Sequence, residues 1–388
     1  MTSSYDPSYN GREQSLIKHV ILDKYLERFA RIVGKRYSEI LYVDGFSGPW
    51  NVQSEDLKDA SFSIALGQLR KARETVRSAF NHDLHIKCIF LERETGPFAR
   101  LKKFADSQSD AQVIALNQDF ESAVPELVRI AKGSGAGTFP FIFIDPTGWT
   151  GFSMDVIAPL LRLNPCEVLI NFMTEFISRF AEDERPEIDD GFKRLFGDSS
   201  FREKCKYLQG KRREDALIFE YAERVSRTGG FAHVPITLIP HPTNDRTHFH
   251  LVYATRNLKG VEVFKEAERQ ALNLAGEVRA DAKRRKREAK TNQSEFFDGA
   301  ELPETNYLQE QSLHYAKLAR EKVHEFMRKK NEASYDEVYA VAMRFPLVQA
   351  PALRHWISEI ADVTNLGDGH KVPKLNSGHR IKVRATSA

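Results

Sequence analysis

Between Glu39 and Met173 the chain keeps one rhythm, and that rhythm restricts the fold more than any other feature. Short apolar runs alternate with stretches of helical periodicity. "EILYVDGFSG", "HIKCIFLERE", "AQVIALNQDF", "FPFIFIDPTGWTG" and "CEVLINFM" read as strands, and "DASFSIALGQLRKARETV", "PFARLKKFADS", "SAVPELVRIAK" and "SMDVIAPLLRL" as the helices between them. Continuous apolar strands separated by helices belong to a parallel sheet covered on both faces. The expected fold class is therefore α/β, a doubly wound, Rossmann-like sheet. An amphipathic helix, "SLIKHVILDKYLERFARIV", leads into the first strand. The polar residues 1–14 ahead of it are expected to be disordered, and the sheet domain to span 15–275.

After Met173 the rhythm breaks. Residues 174–230 are charged and helix-prone, which predicts a helical insertion. "AHVPITLIPH" and "THFHLVYATRN" follow as a hairpin expected to add antiparallel strands to one sheet edge. From 276 to 304 the composition turns basic ("DAKRRKREAKTNQSE"), a linker or helix end. Residues 305–388 show helix, short helix, helix and ribbon, the order of a winged-helix module with the ribbon as its wing.

Bulk composition excludes several classes. The 388 residues carry a net charge of only +3, so any affinity for nucleic acid must be local. Three cysteines without paired spacing support neither a disulfide framework nor a zinc site. His233, His241, His248 and His250 cluster in sequence around the hairpin, and metal ligation would need them to converge; His248 and His250 share a strand face, which exposed edge-strand histidines explain equally well. No apolar run approaches the ~20 residues of a membrane span, and no signal peptide opens the chain. The expectation is a cytoplasmic protein with neither membrane nor metal partner.

The ends of the strands carry the chemistry. "YVDGFSGPW" departs from the G-x-G-x-x-G turn that cradles a pyrophosphate, and Asp44 would repel one. A carboxylate before a glycine turn suits a cationic ligand such as S-adenosylmethionine, with Asp44, Gly45, Phe46 and Gly48 around its methionine portion. Glu92 after the second strand would take the ribose hydroxyls, and Asp119 with Phe120 the adenine. Asp145 ends the fourth strand and Asn171 the fifth. Each acid alone also fits a helix cap; four in series point to one ligand.

These motifs, with "KHVILDKYL", "FIDPTGWTG", "LINFM", "RLFG" and "HLVYATRN", resemble the three-Cys-motif partner (TcmP) proteins, which look like class I methyltransferases. The likeness runs from Lys18 to Asn257 and extends weakly into the tail. It implies an S-adenosylmethionine-dependent methyltransferase fold and a complex with a three-Cys-motif protein. Lys18 and His19 are also similar to the "KH" of adenine-N6 methyltransferases of large-subunit ribosomal RNA, which implies a first helix lying over the cofactor. Amino-methyltransferases carry [D/N/S]-P-P-aromatic after the fourth strand. By that resemblance Asp145 and Pro146 would orient an exocyclic amine on DNA or RNA and Trp149 would stack on the base; here Thr147 replaces the second proline and the aromatic comes one place late. Lys283, Arg284, Arg285, Lys286 and Arg287 of the linker, and Lys371, Lys374, Arg380 and Lys382 of the tail, would contact phosphates. The alternative is a weakly active or inactive cofactor-binding subunit that serves as a nucleic-acid or protein partner.

Overall fold

Five apolar runs form parallel strands, four of them with both faces covered and the third, Gln112–Leu116, only partly buried. The computed structural model describes residues 5–48, 57–180, 183, 185–291, 307–364 and 372–384. The strands are β1 (Glu39–Asp44), β2 (His85–Leu91), β3 (Gln112–Leu116), β4 (Thr138–Ile144) and β5 (Glu167–Phe172). Helix α1 (Glu13–Val33) precedes β1, and α2 (Ser61–Phe80), α3 (Thr95–Asp106), α4 (Phe120–Gly133) and α5 (Met154–Leu161) make the crossovers. Four helices follow β5: α6 (Thr174–Phe180), α7 (Pro186–Phe196), α8 (Ser200–Cys205) and α9 (Gly210–Gly229). Strands β6 (Ile236–Pro240) and β7 (Thr247–Ala254) then lead to the long α10 (Leu258–Thr291).

The sheet order is β3-β2-β1-β4-β5-β7-β6. Strands β1 to β5 are parallel; β7 pairs antiparallel with both β5 and β6, so β6 runs with the first five. The hairpin therefore contributes one reversed strand, and that strand is internal. Alternation along each strand fills two layers. Ile40, Tyr42, Cys88, Phe90, Phe141 and Phe143 face the side of α1, α2 and α10. Leu41, Val43, Ile89, Leu91, Ile142 and Ile144 face the side of α4, α5 and α9. Each such buried side chain contributes on the order of 1.5–3 kcal/mol.

A buried polar knot fixes α1 across the sheet. The Tyr25 hydroxyl donates to Glu167 Oε2 at 2.5 Å and lies 2.5 Å from the Tyr253 hydroxyl, while Thr255 Oγ1 donates to Glu167 Oε1 at 2.7 Å. Burial raises the Glu167 carboxyl above its ordinary range, and these donors oppose that rise.

The N-terminal residues depart from expectation. A 3₁₀ turn over Pro7–Tyr9, capped by Asp6, packs Tyr5 and Tyr9 against Leu16 and Val278. Two buried aromatic rings hold this polar segment in place, so residues 5–14 are ordered. Helix α10 likewise continues through the basic stretch to Thr291; residues 292–304 lie outside the described residues.

The C-terminal residues form α11 (Tyr307–Lys330), β8 (Glu332–Ser334), α12 (Tyr335–Ala342), α13 (Ala350–Ile360), β9 (Ala361–Thr364) and β10 (Arg380–Val383). Strand β10 pairs antiparallel with β8 and β9. A capping box between Ser334 and Glu337 starts α12. This unit has its own core around Tyr315, Val338, Leu353 and Ile381, and Leu238 of β6 belongs to that core. Ile236 N of β6 donates to Arg344 O at 3.1 Å.

Candidate cofactor pocket

Strand order reverses between β1 and β4, and crevices at such a switch point open beyond the carboxyl ends of the strands. A cavity of about 840 Å³ lies there. Glu92, Asp119, Phe120, Asp145 and Pro146 line it, with Gly45, Phe46 and Gly48 of the first turn and Lys18 and His19 of α1. Asn171 of β5 lines it too, so residues from six elements or their ends converge on one space.

Register decides which acids reach the cavity. Asp44 pairs with Phe90 and Phe143, whereas Glu92 and Asp145 come two residues further along their strands. At about 3.3 Å per residue, Asp44 sits some 6–7 Å deeper. It is fully buried and does not line the cavity. Ser61 Oγ donates to its Oδ2 at 2.7 Å and Phe46 N to its Oδ1 at 3.1 Å. The expectation that Asp44 touches a ligand directly is therefore corrected: it braces the Gly45–Gly48 turn, which lines the cavity. Burial, aided by the Asp145 charge, pushes its carboxyl up to about 6 against these hydrogen bonds.

Gly45 has a steric reason for its place. A Cβ there would lie 2.7 Å from the Phe120 ring, which closes over the turn. Asp119 caps α4 through Ser122 N at 3.0 Å, a bond that lowers its carboxyl, and still borders the cavity. Glu92 Oε1 accepts from Glu94 N at 2.7 Å.

Asp145 is held from two sides. Lys18 Nζ lies 2.5 Å from its Oδ2, and Asn171 Nδ2 donates to its Oδ1 at 2.7 Å. The Asn171 Oδ1 is buried and has no hydrogen-bond partner among the described residues. His19 Nδ1 lies 2.9 Å from the Tyr9 hydroxyl, and burial lowers its pKa well below the ordinary value, so the ring is neutral.

No family model matches the sequence, and no curated protein matches it. Among solved structures, the chain is similar to protein LPL1258 from Legionella pneumophila at 12% identity and TM-score 0.37, covering 63% of this chain and 86% of that one. It is similar to a loganic acid methyltransferase solved with SAH at 10% identity and TM-score 0.32, covering 74% and 92%. The cyclopropane synthase MmaA2 from Mycobacterium tuberculosis matches at 10% identity and TM-score 0.27, covering 69% and 76%.

Trp149 requires a second correction. Its ring stacks on Phe192 of α7 with centroids 4.8 Å apart, and a Cβ at Gly191 would lie 2.4 Å from it. The cavity is lined by residues 145–148, Thr150 and Gly151, without Trp149. The indole anchors the insertion to the β4 turn and does not face a base-sized space.

Other cavity residues carried no signal for the cavity in the sequence, although His248 stood out there among the hairpin histidines. Arg12, paired with Asp59, comes from the supposedly disordered segment, and His248 and Phe249 come from β7. Ser61 opens α2 and could have been found as a helix-start residue.

His248 and His250 are not on an edge strand, because β7 is internal. His250 is fully buried, with Nδ1 2.6 Å from Thr174 Oγ1, and His233 forms a backbone bridge to Thr255. Ligand atoms of Glu175, His241 and His248 all lie within 4.8 Å of one another. Their surroundings oppose a cation: Arg246 lies 2.8 Å and Arg179 3.5 Å from Glu175, and His241 Nδ1 accepts from Thr243 N and Asn244 N.

Most of the expected phosphate contacts on α10 are engaged within the chain. Lys283 pairs with Asp245 at 3.0 Å, Arg284 with Asp281 at 2.8 Å, and Arg285 with Glu13 and Asp281. Lys286 Nζ reaches Thr243 Oγ1 at 3.3 Å, and Arg287 lies on the same helix. In the tail Arg380 pairs with Glu332, while Lys374 and Lys382 are exposed. Lys371 lies outside the described residues.

Proposed function

We propose that this chain is an S-adenosylmethionine-dependent methyltransferase acting on an exocyclic amino group, adenine-N6-like, of DNA or RNA. One observation carries the reading: Asp145-Pro146, Glu92 and Asp119 border the same cavity at the switch point of the sheet. Its volume is within the roughly 300–1,000 Å³ that small-molecule sites span. The donor set fits the cofactor: Glu92 for ribose hydroxyls, Asp119 and Phe120 for adenine, and the Gly45–Gly48 turn for the methionine portion.

When bound, S-adenosylmethionine supplies an electrophilic methyl group. The chain's part is orientation. An ionised carboxylate offers about four acceptor sites, so Asp145 can accept from a target amine while keeping Asn171. The Pro146 carbonyl is the second acceptor in this reading. Two accepted N–H bonds leave the nitrogen lone pair aimed away from the protein wall, and positioning of this kind lowers the barrier without covalent chemistry. Lys18 occupies Asp145 Oδ2, so the amine enters beside it or displaces it.

The C-terminal unit is read as a winged helix whose ribbon presents Lys374 and Lys382 to phosphates. A second reading, a weakly active partner subunit working with a three-Cys-motif protein, is favoured by Trp149 being turned away from the cavity. Calorimetry and labelled-methyl transfer separate the two. Glu92→Ala is expected to weaken cofactor binding at least tenfold (about 1.4 kcal/mol). Asp145→Ala should leave that binding intact and reduce transfer to RNA or DNA by two or more orders of magnitude (about 2.7 kcal/mol). Transfer that survives Asp145→Ala refutes the amine-orienting role; cofactor binding without transfer to any nucleic acid favours the partner subunit.

A further inference from the structure

From Arg202 to Arg213 the insertion reads "REKCKYLQGKRR", six basic residues against the single acid Glu203. In the middle stands Tyr207, 87% exposed, the most exposed large apolar side chain among the described residues. A lone exposed ring is ordinary. Its surroundings here are not. Lys206 Nζ sits 5.8 Å from the ring centroid, and among the described residues no carboxylate pairs with Lys206 or with the exposed Arg212. Elsewhere the cations of this stretch are engaged: Arg202 with Asp189, Lys204 with Glu220 and Lys211 with Glu214.

The platform is also held firmly. Phe201 and Cys205 of α8 are buried, Phe201 stacks on Phe196 at 4.4 Å, and Arg202 lies over both Phe192 and Phe201. The segment just before Tyr207 is therefore anchored to the same α7 that clasps Trp149. A ring presented from a fixed support, with Lys206 beside it and Arg212 five residues past Tyr207 in the same basic stretch, combines the two contacts that sequence-tolerant binding of unpaired nucleotides requires: a stacking face and a charge for the backbone.

We infer that Tyr207, with Lys206 and Arg212, is a stacking and phosphate-contact site for single-stranded nucleic acid. The inference rests on the reading that the target is a nucleic acid, and it gives the insertion the task of holding unpaired nucleotides outside the pocket. Charge complementarity selects this occupant, since stacking requires an exposed base face and the flanking cations an anionic backbone.

The test uses the full-length protein and fluorescence anisotropy with labelled single-stranded oligouridine and oligothymidine of about twelve nucleotides, beside a duplex of equal length. Tyr207→Ala is expected to weaken single-strand binding about five- to hundredfold, while Tyr207→Phe, which keeps the ring, stays near wild type. The duplex should respond little to either. Replacing both Lys206 and Arg212 with Ala should lower the slope of log affinity against log salt by about 0.7 per cation. Unchanged single-strand affinity in Tyr207→Ala overturns the inference and leaves an acidic protein surface as the occupant; equal losses in Tyr207→Ala and Tyr207→Phe overturn the stacking role. Anisotropy reads neither cofactor binding nor methyl transfer, so failure here is distinct from failure of the methyltransferase reading.

Discussion

Asp44 shows how far a single residue can be read from its neighbours in sequence. Its motif resembles a ligand contact, yet two residues of register place it under the turn, where Ser61 and Phe46 take its oxygens. Register between strands is set by the whole sheet, so no local pattern could reveal it; Glu92, Asp119 and Asp145, just past their strands, were legible because rim positions are. The depth of Asp44 has a measurable consequence. Its carboxyl titrates at about 6 in the folded chain against an ordinary 3.8. The folded state thus holds this proton more tightly, and the associated stability is present below pH ~4 and lost as pH rises through about 6. The Asp44→Asn variant lacks that term. Relative to it, wild type should lose up to about 3 kcal/mol between pH 4 and pH 8, read from paired denaturant titrations. A constant difference across that range contradicts the assigned burial.

At the scale of elements, α1 was legible from its period, but its anchor was not. Tyr25, Glu167, Tyr253 and Thr255 are scattered over more than two hundred residues of chain, and only the packed sheet gathers them. Removing one donor leaves a buried carboxylate short of a partner, which costs about 1–3 kcal/mol. Tyr25→Phe should therefore lower Tm by several degrees. Because Lys18 rides on the same helix two turns earlier, the variant should also weaken cofactor binding, whereas a helix fixed by apolar packing alone would leave calorimetry unchanged. The insertion illustrates the opposite limit: its helices were expected from composition, while the seating of Trp149 between Gly191 and Phe192 depends on contacts between segments about forty residues apart.

For the molecule as a whole, alternation of strand and helix made the sheet readable, and the turn-rich link made the β6–β7 hairpin readable. Its place at one sheet edge was readable too, but what covers the outermost strand β6 was not. Edge strands invite unwanted pairing, and here the C-terminal unit covers β6 through Leu238 and the Arg344 carbonyl. Truncation before residue 305 should uncover that edge. The shortened chain is expected to form large species in size-exclusion chromatography with light scattering, where the full chain gives a discrete peak; a well-behaved truncated monomer would contradict the covering role. This junction also constrains how the two ends of the molecule can cooperate. A backbone hydrogen bond and a shared core join them across β6, so under the proposed reading a nucleic acid held by the far unit meets the cleft at a set spacing, as a jig offers work to a tool.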